Sequence, residues 1–185
     1  MTKAEQFARK YLGREIHEIE RSARKNELPD LSVYEKAIIY KYSEDGYEQV
    51  NELLRSTNGK TNSNFGTILN TCLSKLENFE GLVYRCASLN SFELKKYLDA
   101  EKDGEAIIEH SFISTTKSEL TAISFGRNTR FVIYSKTGKE IEKIAKYGKF
   151  DPANEKEVLF KSGRKFTILE VIKEAGYTLI TMEEI

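Results

Sequence analysis

The sequence predicts an α+β protein, helical in its first half and built of short strands in its second. Three observations carry this. Before residue 80 the apolar residues recur at helical spacing. After it they fall into brief β-branched or aromatic runs. Those runs are separated by Gly, Asn and Lys turns, with too few helical stretches between them for repeating βαβ units.

Each element has its own signal. In residues 4–25, Phe7, Tyr11, Leu12, Ile16 and Ile19 lie on one helical stripe among charged residues, which predicts a single amphipathic helix. Beyond the Pro29-Asp30 break, Ser32 and Glu35 form a capping box ahead of Ala37, Ile38 and Ile39. A second break is expected at Glu44-Asp45-Gly46, before a helix using Tyr47, Val50, Leu53 and Leu54. Residues 58–64 read as a polar loop, and Ile68, Leu69, Cys72, Leu73 and Leu76 as a further helix. Strand runs follow at 82–84, 106–108, 130–134, 158–160, 166–169 and 177–180, interrupted by short helices at 91–98 and 117–125.

Composition narrows the function classes. At 185 residues the chain holds one substantial core, and Lys+Arg and Asp+Glu both number 29, so no bulk attraction to nucleic acid or an anionic membrane is expected. The start, Met-Thr-Lys-Ala-Glu-Gln-Phe, has charge where a Sec-type signal needs an apolar stretch, and no apolar run reaches transmembrane length. Cys72, Cys86, His17 and His110 stand outside zinc-ligand spacing, so no metal site is expected.

Three sequence features in fixed order carry the chemistry. Tyr84-Arg85 closes one apolar run, Phe112-Ile-Ser-Thr-Thr116 closes another, and Glu155-Lys-Glu157 opens a third. Arg85 is flanked by Val83-Tyr84 and Cys86-Ala87, so its guanidinium needs a partner, either a glutamate at the core edge or an anionic ligand such as a phosphate. Ser114, Thr115 and Thr116 end a strand, with Thr116 and Glu119 spaced as a capping box. Carboxylates two apart on a strand share a face, roughly 7 Å apart at the backbone. Spacing alone is weak evidence, because Glu18-Ile-Glu20 and Glu140-Ile-Glu142 repeat it, and the bland reading is a solvated strand edge. Context separates the pair at 155 and 157, where a polar loop enters an apolar strand.

Other motifs fail. Gly59-Lys60-Thr61 imitates the end of a P-loop, but Leu54 stands where the first glycine belongs. Cys86 and His110 lack the third group of a thiol nucleophile, and no Gly-x-Gly-x-x-Gly turn is present.

Taken together, residues 30 to 182 resemble the mono-ADP-ribosyltransferases of the Arg/Ser-Thr-Ser/Glu-x-Glu class, especially bacterial toxin and effector domains of the actin-modifying binary-toxin type. Tyr42, Tyr47, Asn51, Leu54 and Arg55 match the family's helix pattern, followed by Tyr84-Arg85, Ser114-Thr-Thr116, Phe125 and Glu155-Lys-Glu157. The resemblance implies a mixed β-sandwich with N-terminal helices and a catalytic domain at 30–185. Residues 1–29 lie outside the resemblance and are expected to form an amphipathic helix that docks a partner or carrier domain. It implies NAD as substrate, with Arg85 on its phosphates, the Cys86 backbone at the nicotinamide, and Phe125 against that ring. Arg127 or Arg130 would reach the pyrophosphate, Tyr42, Tyr47 and Asn51 would line the opposite wall, and Thr115 and Thr116 would brace the site.

Within that resemblance, Glu157, Glu155 and Ser114 are catalytic. Glu155 accepts an incoming guanidinium, which favours an arginine acceptor. Residues 146–154 would touch the target protein through Tyr147 and Phe150, with actin the target by analogy alone. Thr116 in place of serine and Cys86 in place of glycine depart from the pattern. A monomer, secreted or injected into a host or competitor cell and acting in its cytoplasm, is expected. An NAD glycohydrolase, an inactive binding module and a glycoside hydrolase using the same carboxylates stand as alternatives.

Overall fold

The computed structural model describes residues 1–185. The helical half is more finely divided than its apolar stripe predicts. Residues 4–25 form α1 (Lys3–Tyr11), α2 (Gly13–Glu20) and a 3₁₀ turn at Ala23–Asn26, with Leu12 leaving the helical region at φ −121° and ψ 37°. Gly13 is a poor helix former, so the joint falls there. The kink keeps Ala4, Ala8, Leu12 and Ile19 all buried, in one cluster with Ile38, Ile39 and Leu69. Residues 1–29 therefore share the core of the helices that follow.

Helix α3 (Val33–Lys41) begins at the expected capping box, Ser32 with Glu35, and is buried over most of its length. The break expected at residues 44–46 is absent. The chain passes through a π-helical turn, Tyr42–Gly46, directly into α4 (Tyr47–Ser56). Gly46 permits this: a Cβ there would lie 2.9 Å from the Lys41 carbonyl oxygen and 3.2 Å from the Phe65 ring. The extra residue in the turn brings the Tyr42 and Tyr47 rings to 6.3 Å, and such turns recur at functional sites. Helix α5 (Asn64–Leu73) completes this layer.

The second half contains β1 (Phe79–Ala87), α6 (Ser91–Asp103), β2 (Ala106–Glu109), β3 (Ile113–Thr116), α7 (Glu119–Ser124), β4 (Thr129–Glu140), β5 (Glu157–Phe160), β6 (Arg164–Glu174) and β7 (Tyr177–Glu184). The expected strand runs all lie inside these strands. The sheet runs β1-β3-β5-β4-β7-β6-β2, and β1 also pairs with β4, so β1, β3, β5 and β4 close a circuit. Pairing is antiparallel except between β4 and β7. Strand β4 is long enough to lie between β1 and β7 over its first half and to pair Lys139 and Glu140 with β5 at its end.

Strand β5 is buried on both faces. Val158 and Phe160 join the sandwich interior with Val83, Phe131, Phe166 and Ile180, whereas Leu159 turns to the helical core with Phe112 and Ile141. This placement makes β5 the seam between the two cores, and Glu157 is its first residue. No helix is long and apolar enough to cross a membrane.

Candidate active site

Antiparallel pairing of β3 with β5 sets Ser114 opposite Leu159 and Thr116 opposite Glu157, while Tyr84 of β1 stands opposite Thr116. The three separated sequence features thereby meet. Ser114 joins them through two atoms. Its carbonyl oxygen accepts a 2.7 Å hydrogen bond from Arg85 Nη1, and its hydroxyl donates a 2.6 Å bond to Glu157 Oε1. Arg85 forms no ion pair, so the core-edge glutamate considered for it is not its partner.

The other two hydroxyls brace the backbone. Thr115 donates to the Val158 carbonyl at 2.6 Å, and Thr116 accepts from the Ser118 amide at 3.0 Å. The Thr116–Glu119 capping box does not form. Helix α7 starts two residues later than that spacing implies, and Ser118 caps it by accepting from the Thr121 amide.

Glu157 is only 5% exposed, and Ser114 is its single hydrogen-bond donor. Burial pushes its carboxyl up to about 7; the Ser114 hydroxyl and Arg85 pull against this, and Glu155 adds to it. Glu155 is raised too, by burial first and then by Asp151. The two carboxylates do not share a strand. β5 begins at Glu157, and the left-handed residues Asn154 (φ 20°) and Lys156 (φ 49°) bend the chain just before it. Glu155 instead reaches the same cleft from a turn closed by its own amide on the Tyr147 carbonyl at 2.7 Å.

A cleft of about 770 Å³ is lined by Tyr42, Tyr47, Asn51, Arg85, Ser114, Phe125, Tyr147, Glu155 and Glu157. Beside it a pocket of about 200 Å³ is formed by Tyr84, Arg85, Cys86, Ser114, Thr115, Thr116, Phe125, Arg127 and Glu155. A third cavity, about 850 Å³, holds Arg55, Arg85, Tyr97, His110 and Ser111. Arg85 borders all three.

The far wall is bolted in place by Asn51. Its amide donates to the Tyr42 hydroxyl at 3.1 Å, and its carbonyl accepts the Phe112 amide at 3.0 Å, fixing α4 to the entrance of β3. Burial holds the Tyr42 phenol well above its ordinary range. Cys86 and His110 border different cavities, and burial raises the Cys86 thiol, which argues against a thiolate nucleophile.

Two sequence-predicted residues line none of these cavities. Phe150 stays 38% exposed on its loop and packs on Arg24, whose guanidinium lies 5.5 Å from its ring centroid. Arg130 stacks on Tyr177 at 3.8 Å, whereas Arg127 joins Arg85 in the small pocket. Arg55, matched in the sequence only as part of the helix pattern, borders two cavities, and Glu44, Glu48 and Glu52, absent from the predicted site, line the cleft. The spacing of four residues among these glutamates, on the face that carries Tyr47 and Asn51, is the signal that could have found them.

A family model for ADP-ribosyltransferase exoenzymes matches residues 15–184. The chain belongs to the ADP-ribosyltransferase exoenzyme family. Among relatives of this exoenzyme domain, a protein of Mycobacterium avium (strain 104) named as an NAD(+)–arginine ADP-ribosyltransferase, Mav, is 33% identical over 158 residues, which cover 80% of this chain and 18% of Mav. The fold is shared with exoenzyme S of Pseudomonas aeruginosa, solved with human 14-3-3 protein beta and carba-NAD (TM-score 0.77, 18% identity, 98% of this chain and 86% of that one). It is shared also with the Vis toxin of Vibrio splendidus, solved with agmatine (TM-score 0.68, 20% identity, 94% of this chain and 86% of that one). NAD is the substrate that goes with membership of this ADP-ribosyltransferase family.

Proposed function

We propose that this chain transfers ADP-ribose from NAD to an arginine side chain of a target protein, releasing nicotinamide, and that it acts after delivery into another cell. One observation carries the reading: a buried carboxylate with one donor, Glu157, sits beside an arginine without an acidic partner, Arg85, in a cleft whose lip carries Glu155.

Each residue has a role in that reading. Arg85, with Arg127 and Arg55, holds the phosphates, for which a planar guanidinium is well suited. Phe125 and the Cys86 backbone hold nicotinamide in the small pocket, and Tyr42, Tyr47 and Asn51 form the opposite wall. Breaking the bond between ribose and nicotinamide builds positive charge on the sugar. Glu157, kept from water and fixed by Ser114, stabilises that charge more in the transition state than in the ground state. Thr115 and Thr116 hold the strand ends that set this geometry.

The acceptor side is acidic. Glu155 orients the guanidinium, and the new carbon–nitrogen bond forms as its proton leaves to Glu155, whose raised carboxyl suits it as a base. Glu48 and Glu52 line the same cleft and favour a cationic acceptor, whereas Glu44 beside them is already paired with Arg14. The arginine acceptor named for Mav and the agmatine, itself a guanidine, bound to Vis support the same acceptor. Delivery into a host is supported by the human partner in the exoenzyme S complex. Tyr147 at the cleft contacts the target in this reading, and Phe150 acts through the loop it anchors.

The test uses biotinylated NAD and a host lysate. Label should appear on protein, disappear with Glu157→Ala, and disappear with Glu155→Ala while nicotinamide release persists. Equal labelling by the Glu157→Ala variant would falsify the assignment.

A further inference from the structure

The segment that carries Glu155 and Tyr147 is held from outside the cleft by a residue near the N-terminus. Arg24 is 8% exposed and has no acidic partner. Its Nε donates to the Ile144 carbonyl at 3.1 Å and, more weakly, to Ala145 at 3.4 Å; its Nη2 donates to the carbonyls of Ala145 and Lys146, both at 3.1 Å. Those three carbonyls end a single helical turn, in which the amides of Ile144 and Ala145 return to the Ile141 carbonyl. Free carbonyls at the end of such a turn carry partial negative charge, which is where a buried cation is satisfied without a carboxylate. The guanidinium also lies over two aromatic rings, 5.3 Å from the centroid of Tyr40 and 5.5 Å from that of Phe150.

Neighbouring contacts follow the same pattern. Ser43 accepts the Lys146 amide at 2.8 Å, and Glu27 pairs with Lys149 at 2.8 Å. On the inner side Asn154 donates to Glu142, which also pairs with Lys117 at 2.7 Å. Gly148 allows the tight return, since a Cβ there would fall 2.0 Å from the Glu142 carbonyl oxygen. The chain from 141 to 157 is therefore anchored along both edges, and the Tyr147–Glu155 bond lies between the anchors.

We infer that Arg24 is a positioning residue that sets the acceptor half of the reaction, fixing the loop that presents Tyr147 and Glu155 while leaving the NAD half to Arg85, Ser114 and Glu157. The inference rests on the guanidine-acceptor reading given above. Arginine is required because three consecutive carbonyls need donors spread over a planar fork; a lysine brings a point charge that cannot span them.

The test compares wild type with Arg24→Lys, Arg24→Gln and the milder Glu27→Gln. Three quantities are measured: nicotinamide release without acceptor, KM and kcat for agmatine, and hydrogen exchange at amides 145–151. In the Arg24 variants the agmatine KM should rise at least about fivefold while acceptor-free nicotinamide release stays within about twofold of wild type. Protection at 145–151 should fall while that of 157–160 is kept, with Glu27→Gln intermediate. Equal losses in both half-reactions, or an unchanged agmatine KM with unchanged protection, overturn the inference. If wild type modifies no guanidine, the proposed function fails and exchange decides this point: selective loss of loop protection upholds the anchor, and retained protection overturns it.

Discussion

Two buried carboxylates begin and end the sheet's business, and they are treated in opposite ways. At the corner of β4, β6 and β7, Glu184 is fully buried and saturated: it accepts from the amides of Lys136 at 2.7 Å and Thr137 at 2.6 Å, from the Thr137 hydroxyl, and from Arg164 Nε at 2.7 Å. At the mouth of β3 and β5, Glu157 is nearly as buried yet has one donor, the Ser114 hydroxyl. A carboxylate whose lone pairs are all taken is part of the scaffold. One left short of donors keeps its capacity for charge that arrives later, at a cost in stability while it waits.

The largest effect that would break this comparison is on activity. Glu157→Gln keeps the shape and the contact with Ser114 but removes the charge, so nicotinamide release should fall by about 10²–10³-fold, read as kcat in steady state. Glu184→Gln should leave kcat per folded molecule unchanged. If both substitutions damage turnover equally, the contrast between scaffold and site is wrong.

Stability should respond the other way round. Glu184→Gln turns an NH₂ toward the amides that the carboxylate accepts from, and should cost about 2–4 kcal/mol in denaturant unfolding. Glu157→Gln should stabilise. The sign follows from the raised carboxyl: protonation of Glu157 favours the fold, so its contribution is intact below the ordinary value of 4.5 and is lost as pH rises through about 7. Above pH 7 the Gln variant should therefore be more stable than wild type by about 1–3 kcal/mol, and the gap should close toward pH 5. A gap that widens on acidification would contradict the assignment.

The finest test concerns Ser114. Wild-type kcat/KM for NAD should rise with pH around 7, as the free enzyme's Glu157 ionises. Ser114→Ala removes the one hydroxyl holding that carboxyl down, so the profile should move to higher pH, with a loss of about three- to tenfold at pH 6.5 that shrinks by pH 8. An unshifted profile would reduce Ser114 to a packing role.

Much of this was legible before any coordinates. The capping box at Ser32 and Glu35, the change of apolar period near residue 80 and the strand runs all stand where local sequence puts them, because caps and periodicity are set within a few residues. Legibility failed where a local signal competed with packing. The stripe over residues 4–25 gave no warning of the kink at Leu12, and Glu44-Asp45-Gly46 reads as a break although burial of Tyr42 and the small Gly46 let a π turn carry the helix through. Glu155 lines the cleft from a turn and not by strand alternation, so the geometry that the sequence suggested for it does not hold. Arg24 had no signal at all, since its three carbonyl partners lie about 120 residues away along the chain.

The sequence by itself determined the order of elements, the identities of Arg85, Ser114, Glu155 and Glu157, and the family they resemble, since all of these are written in residue type and spacing. Only the tertiary structure decided which glutamate is saturated and which is short of donors, that Phe150 serves Arg24 and not the cleft wall, and that Asn51 fastens α4 to β3. The physical reason is that a carboxylate's proton affinity and a guanidinium's partners depend on which atoms lie within about 3 Å, and most of those atoms come from distant parts of the chain.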